Sequence, residues 1–448
     1  MSELYREEVP LYGDLLRIVH GVDDSIMEAQ GLNPRDVPIR HRLERHGAIR
    51  LGSVCELRVI KRLLSLFGMH PVGCYDLRVV NLPLLATAFR PTAVKSLEKN
   101  PFRIFVSFLR RDLVSPDVQK IVDDVLRRRE LFSPRLLELM ERAEAGQEMT
   151  LQDADDLIVE SLKIFKWHSR STVPIDDYLH LKKEHMMIAD IVCFPSAHIN
   201  HLTPRTLNID LVQSEMVKQG LPAKERIEGP PSRQCPILLR QTSFKAVEEP
   251  VDFYGVTGEP VPGTHTARFG EVEQRGAAVT AKGRALYDDL LARASQRATD
   301  ESCDLDDVLK DAFSAFPDTW SELRERGLVY FWYSATPDGL KYHTSESGDG
   351  RRMGRARLED LVRDGHVKYE PITYEDFLPL SAAGIFTSNL GDSGVQATKI
   401  EEDDGGLSQL EEALGCEVED QFVLYRGLQE ESVRECAKAL CMDEISID

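Results

Sequence analysis

Two early segments carry apolar residues at helical spacing. One covers residues 12–30; in the other, 52–68, Val54, Leu57, Ile60, Leu64 and Phe67 recur at steps of three or four, the interval that stacks side chains on one helix face. From 101 to 186 the pattern stays helical, through RIFVSFLRRDL, SPDVQKIVDDVLRRREL, SPRLLELMERAEAG and TLQDADDLIVESLKIFKWH. Ser115-Pro116 and Ser133-Pro134 open two of these helices, with proline at the first helical position, where its missing N–H costs nothing. This stretch reads as a helical insertion. At about residue 187 the pattern changes. MIADIVCFPSAHINHLTPRTLNIDLV, PILLRQTSF, VDFYGVTG and THTARFGEVEQRGAAVT are short apolar or alternating runs broken by Pro and Gly, which predicts strands. Helices follow near 281–297 and 303–327. LVYFWYSAT and PDGLKYHTS then read as a hairpin through Pro337-Asp338-Gly339, and 391–408 as an exposed loop.

Composition narrows the function classes. The 448 residues hold 75 acids against 55 bases, a formal charge of −20, which disfavours a surface built for nucleic-acid backbones or anionic membranes. The acidity is uneven: 15 acids and 3 bases fall within 401–448, so that segment reads as an acidic C-terminal piece. Hydrophobic residues at 42% and charged residues at 29% fit a chain with a large core. No apolar run approaches the roughly eighteen residues of a membrane span, and the acidic N-terminus resembles no targeting peptide. Eight scattered cysteines without a CxxC pair read as reduced thiols, so the cytoplasm is the expected compartment. The oligomeric state is not legible.

Familiar catalytic signatures are missing: no GxxxxGK[ST], no strand–GxGxxG–helix and no GxSxG. HLKKEH at 180–185 spaces its histidines by five, about 140° apart on a helix, so a zinc pair is disfavoured and a surface helix favoured. His198-Ile-Asn-His201-Leu-Thr-Pro-Arg205 is more informative. On a strand His198 and His201 point to opposite faces, so at most one ligates a metal there, while His201, Thr203 and Arg205 share a face. The plain alternative is a hydrogen-bonded, half-buried imidazole. In ERHGAIRLG, His46 and Arg50 share a face as strand or helix; in GTHTARFGEVEQRG, Glu271, Glu273 and Arg275 share a strand face. Two histidines and a carboxylate from three strands make a facial triad with open positions, the pattern of non-haem Fe(II) oxygen chemistry. The plain alternative for the glutamates is surface pairing with Arg275.

At these residues the chain resembles the 2-oxoadipate dioxygenase/decarboxylases, also called 2-hydroxyglutarate synthases. The matching segments run in order from about 40 to 391: ERHGAIR, GMHPVGCYDL, TAFRP, NPFRIFVSFLR, ADIVCFP, HINHLTPRTLNID, EGPP, PILLRQTSFKA, HTARFGEVEQRG, KGRALYDDLL and ITYEDFLPLSAAGIF. The resemblance implies an α+β fold of the vicinal oxygen chelate superfamily, whose βαβββ modules form a curled sheet around one metal. It implies one elaborated domain over 1–448, with the 101–186 insertion inside it. It implies Fe(II) held by His46, His201 and Glu271, with Arg50 gripping the distal carboxylate of the substrate, Ser381 hydrogen-bonding it, and the Leu380 backbone nearby. Arg205, Gln241, His265 and Arg275 are candidates to orient these groups. A buried Arg50 needs an acid or water as partner when no substrate is bound; its plain alternative is a surface bridge to Glu44. The implied reaction, in lysine catabolism, converts 2-oxoadipate and O2 to 2-hydroxyglutarate and CO2, with a small oxo acid and O2 as partners and no nucleic acid or membrane. The competing readings are a non-redox metal isomerase or lyase of the same superfamily, and a non-catalytic oxo-acid-binding protein.

Overall fold

A computed structural model of the chain describes residues 1–33, 43–255, 257–301, 304–346, 353–378 and 404–447. Strand β1 (Glu44–Leu51) runs into helix α1 (Val54–Leu66), followed by β2 (His70–Asp76), β3 (Leu84–Arg90) and β4 (Arg103–Leu109). A capping box starts α1: the Ser53 hydroxyl accepts from the Glu56 N–H, and the Glu56 carboxylate reaches back to the Ser53 N–H. The face of α1 carrying Leu57, Ile60, Leu63 and Leu64 is buried. β1 pairs parallel with β4, and β3 pairs antiparallel with both β4 and β2. This is a βαβββ module.

The second module repeats the plan with β5 (His201–Pro204), α2 (Ile209–Lys218), β6 (Leu239–Ser243), β7 (Val247–Tyr254) and the long β8 (Pro260–Arg275). β5 is parallel to β8, and β7 is antiparallel to its first half. The modules join where β1 and β5 pair antiparallel, giving the order β2-β3-β4-β1-β5-β8-β6 with β7 also on β8. The result is an α+β fold with a curled sheet. Residues from both modules, the N-terminal helices and the helix Asp404–Leu414 share one apolar cluster.

Several elements differ from the sequence reading, for identifiable reasons. RIFVSFL, whose pattern suggests a helix, is strand β4, buried at every position; two-sided burial erases the alternation that separates strand from helix. The helical block between the modules therefore starts at Pro116, not 101, and ends with the helix Met186–Val192. That last helix stands where a strand is expected and is likewise almost wholly buried. Pro337-Asp338-Gly339 opens a helix, Pro337–Glu346, instead of turning a hairpin: the Thr336 hydroxyl accepts from the Gly339 N–H at 3.0 Å, as an N-cap does. Residues 303–327 break into Leu305–Ala312, a 3-10 turn and Trp320–Glu325. The described part of the acidic C-terminal piece, 404–447, is structured too: Asp404–Leu414 ends on Arg58, which donates to the carbonyls of Ala413 and Glu412 at 2.9 and 3.0 Å.

Where the sequence suggests one elaborated domain, the chain folds as two compact units. The first is Met1–Gly229, Arg240–Gln274 and Asp376–Glu419, and the second is Pro230–Leu239, Arg275–Glu375 and Asp420–Asp448. The second holds two two-stranded sheets, Phe331–Ala335 with Val367–Pro371 and Met353–Arg357 with Met442–Ser446. No helix among the described residues is long and apolar enough to cross a membrane.

Gly270 on β8 shows how tightly the sheet is backed. A Cβ there would lie 2.5 Å from a Phe244 ring carbon and 3.0 Å from one of Tyr12. Gly270→Ala is expected to lower the unfolding free energy by about 1–3 kcal/mol, measured by denaturant titration; unchanged stability would show that these rings move aside freely.

Candidate metal centre

Strand parity and register assemble the site. His46 lies opposite Thr203, and Ala48 opposite His201; His201 in turn pairs with Phe269 on β8. Residues 46, 48 and 50 of β1 therefore share a sheet face with 201 and 203 of β5 and with 269, 271 and 273 of β8. His46, His201 and Glu271, all buried, each offer a ligand atom within 4.8 Å of the others. His46 Nε2 is 3.0 Å from Glu271 Oε1. Thr203 Oγ1 lies 3.0 Å from that same nitrogen and 3.2 Å from that same oxygen. The other Glu271 oxygen, Oε2, is buried with no hydrogen-bond partner among the described residues. Its charge suits a cation.

The surroundings leave these groups able to act as ligands. His46 Nδ1 meets Glu273 Oε2 at 2.8 Å, which places the proton on Nδ1 and leaves Nε2 turned toward Glu271 and His201. Arg103, fully buried, stands 3.7 Å from the other Glu273 oxygen. Burial, with the positive charges of Arg50 and Lys224 adding to it, holds His201 well below the ordinary histidine range, so its imidazole is neutral and has a lone pair to give. Phe377 packs edge-on against His46, with ring centroids 4.9 Å apart. Its backbone is anchored by the neighbouring Asp376, which takes Arg90 in two bonds of 2.6 and 2.9 Å.

His198 does not join the cluster. β5 begins only at His201, so the two histidines are not on one strand and the opposite-face argument does not apply to them. His198 Nε2 lies 3.1 Å from Asp190 Oδ1, and its ring stands edge-on to Trp167. Both glutamates are fully buried, which excludes the surface-pairing alternative. Arg50 is buried as well, with Nη1 2.5 Å from Asp190 Oδ2. Glu44 instead accepts from the Tyr12 hydroxyl at 3.0 Å. Asp190 also meets His265 Nε2 at 2.9 Å and Asn200 Nδ2 at 3.3 Å. Burial alone would raise the Asp190 pKa, but Arg50, His198 and His265 together hold it well below the usual carboxylate range. The acid that a buried Arg50 requires is thus in place.

The remaining candidates separate by position. His265 belongs to the Asp190 group, with Nδ1 3.1 Å from the Tyr178 hydroxyl. Gln241 is buried on β6. The bonds Phe244 N–H to Gly270 O and Gly276 N–H to Leu238 O set a register with Gln241 opposite Glu273 and Ser243 opposite Glu271. Arg205, half-buried, is bridged through its backbone to Glu273, and Arg275 donates to the Tyr374 carbonyl at 3.0 Å. Ser381 and Leu380 lie outside the described residues. Sequence reasoning missed Asp190, inside a run whose pattern suggests a strand, and Phe377, which no spacing rule marks.

A family profile described as 2-oxoadipate dioxygenase/decarboxylase matches residues 1–389. The chain belongs to that family. A family member of Escherichia coli (strain K12), named 2-oxoadipate dioxygenase/decarboxylase, is 44% identical over 446 residues, covering 97% of this chain and 96% of its own. One of Pseudomonas putida, with the same name, is 43% identical over 451 residues, covering 98% and 95%. The crystal structure of the Pseudomonas putida hydroxyglutarate synthase in complex with 2-oxoadipate superposes with a TM-score of 0.83 at 41% identity, covering 98% of this chain and 96% of that one.

The geometry separates the two glutamates experimentally. Glu271→Ala is expected to abolish divalent-metal binding, and Glu273→Gln to weaken it about 10- to 100-fold by releasing His46, both measured by metal titration. Equal, small losses in both would show that neither carboxylate acts as assigned.

Proposed function

We propose that this chain is an Fe(II)-dependent dioxygenase that converts 2-oxoadipate and O2 to 2-hydroxyglutarate and CO2. The observation that carries the reading is the buried cluster of two imidazoles and one carboxylate beside a buried arginine, in a chain of this family. Two neutral nitrogens and one carboxylate are the donor set of non-haem Fe(II) oxygenases and leave coordination positions open. When bound, Fe(II) supplies a redox-active Lewis acid for the 2-oxo group, its adjacent carboxylate and O2.

The chain's own residues then have separable tasks. His46, His201 and Glu271 hold the ion, and Glu273 keeps the proton on His46 Nδ1 so that Nε2 faces it. Arg50 takes the distal carboxylate, which its planar fork can grip through two bonds. Asp190 balances Arg50 before that anion arrives and afterwards shares the guanidinium with it, its own charge supported by His198, His265 and Asn200. Ser381 and the backbone at Leu380 are further proposed substrate contacts. Phe377 and Phe105, with ring centroids 5.1 Å apart, wall the site beside His46. They exclude water, which strengthens the polar contacts inside. Arg205, Gln241 and Arg275 are assigned supporting roles around Glu273 and the end of β8. The atoms balance: the carboxylate next to the 2-oxo group leaves as CO2 with its own oxygens, one oxygen of O2 completes the new carboxylate at the former oxo carbon, and the other becomes the new hydroxyl.

Protein loaded anaerobically with Fe(II) and then exposed to air is expected to consume O2 and form 2-hydroxyglutarate in equal amounts from 2-oxoadipate, without added 2-oxoglutarate. Absence of product from iron-loaded protein overturns the assignment. Arg50→Lys should raise KM for 2-oxoadipate about 10- to 100-fold, the worth of a lost charge-assisted bond, with iron content unchanged. An unaltered KM would remove Arg50 from the substrate.

A further inference from the structure

The sheet face that carries the cluster does not end at β6. Residues 223–228 pair along its outer edge: the Lys224 N–H donates to the Ser243 carbonyl at 2.9 Å, and Glu228 and Gln241 exchange backbone bonds of 2.8 and 3.0 Å. With Ser243 opposite Glu271 and Gln241 opposite Glu273, two rows of side chains run across the face. One row is Glu271, Ser243 and Lys224; the other is Glu273, Gln241 and Glu228. Lys224 is buried, and its Nζ lies 3.2 Å from Glu228 Oε1. Its charge acts on His201, and that of Glu271 acts on Glu228, so the pair sits within electrostatic reach of the cluster.

This shelf is built for a polar occupant. Ser243 Oγ, Gln241 Oε1 and Glu228 Oε2 are buried and have no hydrogen-bond partner among the described residues, a concentration of unmet polar groups that folded interiors avoid. Ser243 can donate its hydroxyl proton, and the Gln241 amide can present its N–H end by rotating half a turn. With the Lys224 ammonium, these donors suit an anion. Burial pushes the Glu228 carboxyl up to about 7, against the pull of Lys224; near neutral pH a substantial fraction is protonated, which frees the ammonium for another carboxylate.

We propose that Lys224 is a second cationic anchor of this site, binding the carboxylate next to the 2-oxo group of the substrate while Arg50 binds the distal one. The proposal rests on the 2-oxo dicarboxylate reading above and extends it to the other end of the molecule. Each cation is held in reserve by its own acid, Arg50 by Asp190 and Lys224 by Glu228. Lys224 lies in the same row as Glu271, and so close to the end of the substrate that meets the metal. Arg50 stands four residues along β1 from His46, roughly 13 Å away at strand rise, and so serves the far end.

The test measures binding of 2-oxoadipate and of 2-oxohexanoate, which lacks the distal carboxylate, to the full-length iron-loaded protein without oxygen. Lys224→Met is expected to weaken both ligands about tenfold or more and to leave their affinity ratio unchanged, whereas Arg50→Lys changes the ratio. Iron content and melting temperature check that the variant folds. Lys224→Arg, which keeps the cation, should recover most of the 2-oxoadipate affinity, and Glu228→Gln should leave it equal or tighter. Wild-type affinity in Lys224→Met overturns the proposal, as does a loss confined to the dicarboxylate or a loss in Glu228→Gln equal to that in Lys224→Met. Failure of the wild-type protein to bind 2-oxoadipate refutes the function reading itself, and is seen before any variant is made.

Discussion

The pairing of β1 with β5 is the constraint on which the site depends. A strand shows alternate side chains to alternate faces, so a slip of one residue between them would send His46 and His201 to opposite sides of the sheet. The register His46–Thr203 and Ala48–His201 is enforced from both faces. On one face Thr203 bridges His46 and Glu271. On the other, Leu202 belongs to the apolar cluster. Gly47 lies so near Leu202 that a Cβ there would approach its side chain to 2.8 Å.

A second demand follows from packing so many charges inside. His46, Arg50, Arg103, Asp190, Glu271 and Glu273 are all buried, and an isolated buried charge is costly. The structure meets this by pairing each with a neighbour: Glu273 lies between His46 and Arg103, and Asp190 is shared by Arg50, His198 and His265. Such pairing contributes little net stability. What it fixes is orientation, and with it the direction in which each ring nitrogen and each guanidinium points.

The sequence was legible where a local rule decides the structure. The prolines at 116 and 134 mark helix starts, and the alternation around Glu271 marks a strand. The convergence of His46, His201 and Glu271 came from the family resemblance, because residues so far apart in the chain carry no mutual signal of their own. Where burial is complete, periodicity is silent: RIFVSFL and MMIADIV are both runs of inward-facing residues, one a strand and the other a helix. Asp190 was illegible for that reason, since an acid within an apolar helix declares its role only through partners from three other segments. Pro337-Asp338-Gly339 misled differently, because the residue before it, Thr336, turns a turn signature into a helix cap.

The candidate ligands are divided between the two modules, His46 in the first and His201 and Glu271 in the second, with the whole helical block intervening in the chain. Pairings of such long sequence separation form late, because the loop must close before they contribute. An ion held by all three would therefore act as a further staple between modules that already meet along β1 and β5 and in a shared apolar cluster, and its binding energy would belong to folding as well as to chemistry. Metal supply would then govern how long the molecule survives in the cell, in addition to how fast it turns over.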